Sequence, residues 1–164
     1  MKVLIPATTA NMGPGFDLMG ASLNLDNELK GEFSAEYSLT ETGYLDGKPF
    51  GENLIAQIMF AFFKEHGETR PFKIEAVNQI PFARGLGSSS AAIVGALFLA
   101  NEMLGCPEDR LALLKRAIAI EGHPDNVAPA LFGGVVLSNQ DQVLRLPAPV
   151  IEACVMIPDF KLET

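Results

Sequence analysis

Ile80-Pro81-Phe82-Ala83-Arg84-Gly85-Leu86-Gly87-Ser88-Ser89-Ser90-Ala91-Ala92 decides how the rest of the chain is read. Before it, Phe72 to Val77 alternates apolar and polar residues, the pattern of a half-buried strand. After it, Ala91 to Leu104 is almost wholly apolar and rich in alanine, as expected of a helix buried on all sides. Strand, glycine-rich turn and buried helix in that order can make an anion cradle without a lysine. Glycines let the backbone approach a phosphate, and the first turn of a helix offers unpaired N–H groups and a positive dipole end. The stretch is not a Walker loop, because no Lys-Ser or Lys-Thr follows the second glycine. It is not a dinucleotide fingerprint either, because the third glycine of that pattern is missing. A tight turn with a serine N-cap satisfies the same residues. A cap needs only one serine, however, and a second hydroxyl is then available to Mg²⁺ or to a phosphate oxygen.

A magnesium ion held by a serine hydroxyl calls for a nearby carboxylate, and Glu121 is the candidate. It ends an apolar helical face just before Gly122-His123-Pro124-Asp125, where a helix C-terminus disfavours an anion that has no partner. The alternative is a solvated glutamate in the last turn. Asp125 and Asn126 invite a general-base reading, against which stands the preference of Asp for helix N-caps. His123 is a candidate proton shuttle or substrate ligand, and equally a turn residue before a proline. The run Ala7 to Asp17, with Gly13-Pro14-Gly15 inside it, reads as an ordered loop after a short strand, Val3 to Ile5, that Pro6 stops.

Elsewhere, imperfect alternation from Leu29 to Leu39 predicts a half-exposed strand. Asn53 to His66 has helical spacing with Gly67 as its stop. Gly105 ends the buried helix, and Pro107 opens the next, with Glu108 and Asp109 in its first turn. Leu111, Leu114, Ala117, Ile118 and Glu121 then lie along one side up to Gly122. A short helix from Val127 to Leu131 and strands at Val135 to Leu137, Gln142 to Leu146 and Ala153 to Ile157 complete the reading. Helices and strands intermix without strict βαβ alternation, so the expected class is a two-layer α+β fold.

The chain has 164 residues, 48% of them hydrophobic and 20% charged, within the range of one globular domain. A net charge of −8 argues against a nucleic-acid partner, which is bound largely through Lys and Arg. Cys106 and Cys154 have no metal-ligand spacing, and reduced, buried thiols are expected. The N-terminal apolar run is too short for a signal peptide and no stretch suits a membrane span, so the cytoplasm is the expected location.

Three motifs, Pro6 to Asp17, Gly85-Leu86-Gly87-Ser88-Ser89-Ser90-Ala91-Ala92 and Glu121-Gly122-His123-Pro124-Asp125-Asn126-Val127-Ala128-Pro129 through Gly133-Gly134, resemble the GHMP kinase superfamily and, within it, the homoserine kinase family. The resemblance implies one unit over 1–164, the N-terminal ATP-binding domain of that superfamily. Its fold is that of the second domain of ribosomal protein S5, with a left-handed βαβ crossover. It implies ATP and Mg²⁺ as cofactors and L-homoserine as substrate, phosphorylated on its hydroxyl as a step of threonine biosynthesis; a homodimer is left open. Asn11, Asp17 and His123 would face the substrate. Pro81, Phe82, Ala83, Arg84, Gly85, Leu86, Gly87, Ser88, Ser89, Ser90 and Ala91 would wrap the ATP phosphates, Asn53 would contact the nucleobase, and Ser89 and Glu121 would hold Mg²⁺. Counting back from Gly133-Gly134 puts Asn126, beside Asp125, where mevalonate-kinase-like relatives carry an aspartate base. An amide cannot take a proton, so the resemblance implies transfer without a dedicated base. The family continues into a second half with another glycine-rich segment and substrate-binding arginines, so the chain is expected to be a fragment, a truncated product or half of a split protein. The alternatives are a catalytically silent nucleotide-binding module and a kinase for another small alcohol such as mevalonate or shikimate.

Overall fold

The computed structural model describes residues 1–139, 142–147, 152 and 154. Its strands are β1 (Lys2–Ala10), β2 (Met19–Phe33), β3 (Ser38–Gly43), β4 (Phe72–Asn78), β5 (Val135–Ser138) and β6 (Val143–Leu146), and its helices are α1 (Leu54–Glu65), α2 (Ser88–Met103), α3 (Arg110–Glu121) and α4 (Pro124–Phe132). The long β2 organises a mixed sheet in the order β3-β4-β2-β5-β6. β1 runs antiparallel along one edge of β2, while β4 and β5 share the other, pairing with its C-terminal and N-terminal parts respectively. β3 and β4 are parallel, from Ser38 against Lys73 to Gly43 against Asn78, and α1 connects them.

Period-2 patterning decides which side of the sheet is covered. Val3, Ile5 and Ala7 of β1 and Phe72, Ile74 and Ala76 of β4 are buried, whereas Lys2, Leu4 and Glu75 are exposed. The outer face holds the ion pairs Lys2–Glu28, Lys30–Glu28 and Lys73–Glu32, which in the open add little stability but keep that face wet. Among the described residues, helices cover the inner face alone, giving the expected two-layer α+β fold. At its centre, α2 lies so close to the sheet that a Cβ on Gly95 would stand 2.7 Å from Leu29 and 2.8 Å from Ile5.

Several expected boundaries move. Pro6 does not end the first strand: β1 continues to Ala10, because it is an edge strand whose register shifts between Pro6 and Thr8, a place where a missing N–H breaks no ladder. The strand expected over Leu29 to Leu39 is two, separated where the Ser34 hydroxyl bonds to the Glu36 carbonyl and the Ser34 N–H to Pro71. α2 begins at Ser88, not Ala91, and its N-cap is Gly87 at φ +66°, not a serine. α3 begins at Arg110: Asp109 caps it by accepting from the Ala112 N–H at 2.8 Å, so Glu108 and Asp109 lie before the first turn, and Leu111 is exposed. α4 begins at Pro124, which as first helical residue needs no N–H partner. Both cysteines are exposed rather than buried; Cys106 sits at φ +63° just past Gly105, outside the helix that the sequence would bury. The strand expected over Ala153 to Ile157 lies outside the described residues.

Candidate active site

The loop before α2 alternates backbone hand. Ala83, Gly85 and Gly87 have φ of +54°, +70° and +66°, with Arg84 and Leu86 between them at ordinary negative φ. Such alternation turns successive N–H groups to one side and makes an anion-binding concavity. A positive φ at a non-glycine residue such as Ala83 is uncommon, and here it belongs to the cradle. Ser88, Ser89 and Ser90 form the first helical turn, and no side chain caps it, so the helix meets the loop with its positive end open. Pro81, Leu86 and Ala91 are buried and hold the loop to the core; Phe82, Ala83 and Gly85 are exposed, and Arg84 is partly so.

Glu121 closes this turn from the side. Its Oε2 accepts the Ser89 hydroxyl at 3.0 Å and its Oε1 the Ser90 hydroxyl at 2.7 Å. As the last residue of α3 it sits at that helix's unfavourable negative end, and what compensates is the positive end of α2 with its two hydroxyl donors. The sequence reading that paired Ser89 with Glu121 thus has both side chains in contact. Their oxygens are hard donors, and among the described residues no group of three His, Cys, Asp or Glu side chains could hold a metal unaided. One carboxylate and one hydroxyl fit Mg²⁺, which keeps its remaining positions for water and phosphate oxygens.

On the other side of Gly87 stands a residue that sequence reasoning missed. Thr8, fully buried on β1, gives its N–H to the Leu86 carbonyl at 3.1 Å and its hydroxyl to Asn126 Oδ1 at 2.8 Å. A Cβ on Gly87 would lie 2.0 Å from the Thr8 hydroxyl and 3.3 Å from Asn126 Oδ1, so only glycine fits there. Thr8 therefore joins all three motifs. The signal that could have found it is its place inside the first motif, between Pro6 and Asn11.

Asp125 and Asn126 open α4. Asp125 is 2% exposed, and its Oδ1 faces His123 Nδ1 at 2.7 Å and Asn126 Nδ2 at 3.4 Å. His123 projects outward, half exposed. β2 comes so near this turn that a Cβ on Gly20 would be 1.8 Å from the Asp125 carbonyl oxygen. The loop holding Asn11 and Asp17 leaves the same strand ends. Both residues are left-handed, at φ +58° and +55°, both are exposed, and the Asp17 N–H bonds to Asn11 Oδ1 at 3.1 Å. Their contact is with each other rather than with His123.

Below the loop is a cleft of about 180 Å³ lined by Asn53, Asn78, Glu41, Phe82, Ser89 and Ala92 among others. Asn53 and Asn78 turn their amide nitrogens to Glu41 Oε1 at 3.5 and 3.3 Å. The cleft is continuous with the cradle through Ser88 and Ser89, which line it too. Asn53 is nonetheless buried, and its Oδ1 caps α1.

Residues 53–134 match the family described as GHMP kinases N terminal domain. The chain is 46% identical to homoserine kinase of Carboxydothermus hydrogenoformans, over 99% of this chain and 56% of the relative, and 48% identical to that of Moorella thermoacetica, over 99% and 57%. It spans little more than half the length of these relatives. A crystal structure of homoserine kinase from Cytophaga hutchinsonii superposes with a TM-score of 0.76 at 32% identity, covering 91% of this chain and 52% of that one. Mevalonate kinase from Staphylococcus aureus superposes at 0.67 and 17% identity over 88% of this chain and 54% of that one, a likeness of fold alone.

Proposed function

Because the chain belongs to the GHMP kinases through their N-terminal domain, we propose that it is the ATP-binding part of a kinase that transfers the γ-phosphoryl of ATP to the hydroxyl of L-homoserine, giving O-phospho-L-homoserine for threonine biosynthesis in the cytoplasm. The observation that carries this reading is the pairing of Glu121 with Ser89 and Ser90 at the open end of α2, directly beside the left-handed turns of the loop. The unit over 1–164 is the nucleotide-holding domain. Similarity to homoserine kinases over nearly the whole chain supports L-homoserine as the substrate.

Residues 80–91 take the triphosphate by backbone N–H groups. The cleft by Asn53 takes the base, and Ser89 with Glu121 holds Mg²⁺, which when bound would neutralise phosphate charge. Asn11, Asp17 and His123 line the amino-acid side, where Asp17 offers a carboxylate to the substrate ammonium. Asn126 is an amide, and Asp125 is buried and engaged by His123, so neither takes the alcohol proton. The proton passes to phosphate or water. A loose transition state permits this, because positioning and charge neutralisation supply most of the acceleration. On this reading a second glycine-rich segment and arginines for the substrate carboxylate belong to the part of the relatives that this chain does not span.

Isothermal titration with Mg·ATP and a coupled ADP-release assay with L-homoserine, mevalonate and shikimate test the reading. Magnesium-dependent ATP binding and turnover with L-homoserine above the other alcohols are expected. A chain that binds no ATP, or that phosphorylates mevalonate or shikimate in preference, sinks it.

A further inference from the structure

The side-chain amide of Asn126 has only one orientation that its neighbours accept. Its oxygen faces the Thr8 hydroxyl at 2.8 Å and its nitrogen faces Asp125 Oδ1 at 3.4 Å. Turned over, the amide would set Oδ1 against the Asp125 carboxylate, acceptor against acceptor. The two ties differ in strength. An O–H···O contact of 2.8 Å is at the centre of the normal range, whereas an N–H···O contact of 3.4 Å lies beyond it. Thr8 is therefore the firm anchor, and Asp125 selects which way round the amide sits. Asp125 is itself held by His123 Nδ1 at 2.7 Å.

We infer that Thr8, with Asp125 behind it, is a positioning residue that fixes Asn126 as a hydrogen-bond donor, leaving one Nδ2 hydrogen for an oxygen of the bound substrate. This rests on the kinase reading above, since it supplies that reading with the group that orients Asn126. Three observations carry it: Thr8 is completely buried, its hydroxyl has Asn126 as partner across 118 residues of chain, and residue 87 must be glycine for that hydroxyl to fit. A threonine kept only for packing on β1 would be buried too, but it would need no acceptor for its hydroxyl, and valine would serve as well there.

The test compares Thr8→Val, which keeps the shape and removes the hydroxyl, with Thr8→Ser, which keeps the hydroxyl. In nitrogen–proton correlation spectra of the 164-residue chain, the Asn126 side-chain amide pair is assigned by its loss in Asn126→Ala. Its hydrogen-exchange protection is expected to fall at least ~10-fold in Thr8→Val and to survive in Thr8→Ser. Unchanged protection in Thr8→Val overturns the inference. In ATP-dependent phosphorylation of L-homoserine, Thr8→Val is expected to lower kcat by about 10- to 100-fold with the KM for ATP unaltered, to be rescued by Thr8→Ser, and to cost nothing further in an Asn126→Ala background. Additive losses in the double variant also overturn it. A wild-type chain that transfers no phosphoryl group counts against the proposed function alone, and the amide measurement then decides this inference.

Discussion

Ser90 donates its hydroxyl to Glu121 Oε1 at 2.7 Å, tying the first turn of α2 to the last residue of α3. The bond does two things. It holds a carboxylate at a helix end that would otherwise repel it, and it leaves that carboxylate with a fixed direction beside Ser89.

Removing either partner separates these effects. Ser90 is 1% exposed, so Ser90→Ala leaves Glu121 Oε1 without its donor and is expected to cost about 1–2 kcal/mol in urea denaturation. Glu121→Gln keeps an oxygen for one serine and loses the charge. Its stability is expected to stay near that of the wild type, while Mg·ATP binds at least ~10-fold more weakly and metal-free ATP no more weakly than before. Titrations with and without magnesium distinguish this from a structural glutamate, for which the magnesium dependence would persist.

Two glycines of the same loop provide an internal control. Gly85 and Gly87 share a left-handed backbone, so alanine at either carries about 1–2 kcal/mol of conformational strain. A Cβ at Gly85 meets nothing within 4 Å, but at Gly87 it meets the Thr8 hydroxyl at 2.0 Å. Gly87→Ala is therefore expected to lower the denaturation midpoint clearly more than Gly85→Ala and to abolish ATP binding. Equal midpoints would mean that the loop moves away from Thr8 without cost.

The loop, the strand before it and the glycine stops at Gly67, Gly105 and Gly122 were legible because each is a local signal, a period or a forced backbone hand. Helix starts were less legible. A serine reads as the cap because serine caps helices, yet Gly87 in the left-handed region fills that place and leaves none of the three hydroxyls capping. Pro6 reads as a strand end because sequence does not say which strands are edges. Ser89 and Glu121 could be paired in advance because a carboxylate at a helix C-terminus asks for a partner. Thr8 gives no such signal: a threonine in a strand satisfies β propensity whether or not its hydroxyl is used, and its partner is 118 residues away.

Acid stability should carry the mark of Glu68, away from the site. Its carboxylate is held down to about 2, first by the Arg70 side chain, then by the Arg70 and Thr69 backbone N–H groups. A depressed carboxylate favours the folded state fully above its unfolded value of 4.5, and that contribution fades as pH falls toward about 2. Glu68→Gln is expected to be less stable than wild type at neutral pH, with the gap closing through that window. Urea midpoints at several pH values measure it; a gap independent of pH would show that the charge of Glu68 contributes nothing.

Asn53 has two possible duties, and a pair of substitutions divides them. Its Oδ1 accepts from the Ile55 and Ala56 N–H groups at 3.0 and 3.3 Å, the N-cap of α1, while the residue also lines the cleft beside Ser89. Asn53→Ala removes both and is expected to cost ~1 kcal/mol or more, since the orphaned N–H groups are buried. Asn53→Ser retains a capping oxygen but withdraws the amide nitrogen that stands 3.5 Å from Glu41. If that amide meets the base, Asn53→Ser keeps most of the stability and weakens ATP several-fold, with a smaller loss for inorganic triphosphate, which has no base. Equal affinity for ATP in wild type and Asn53→Ser would confine Asn53 to capping and shift base recognition to the neighbouring Asn78 and Glu41.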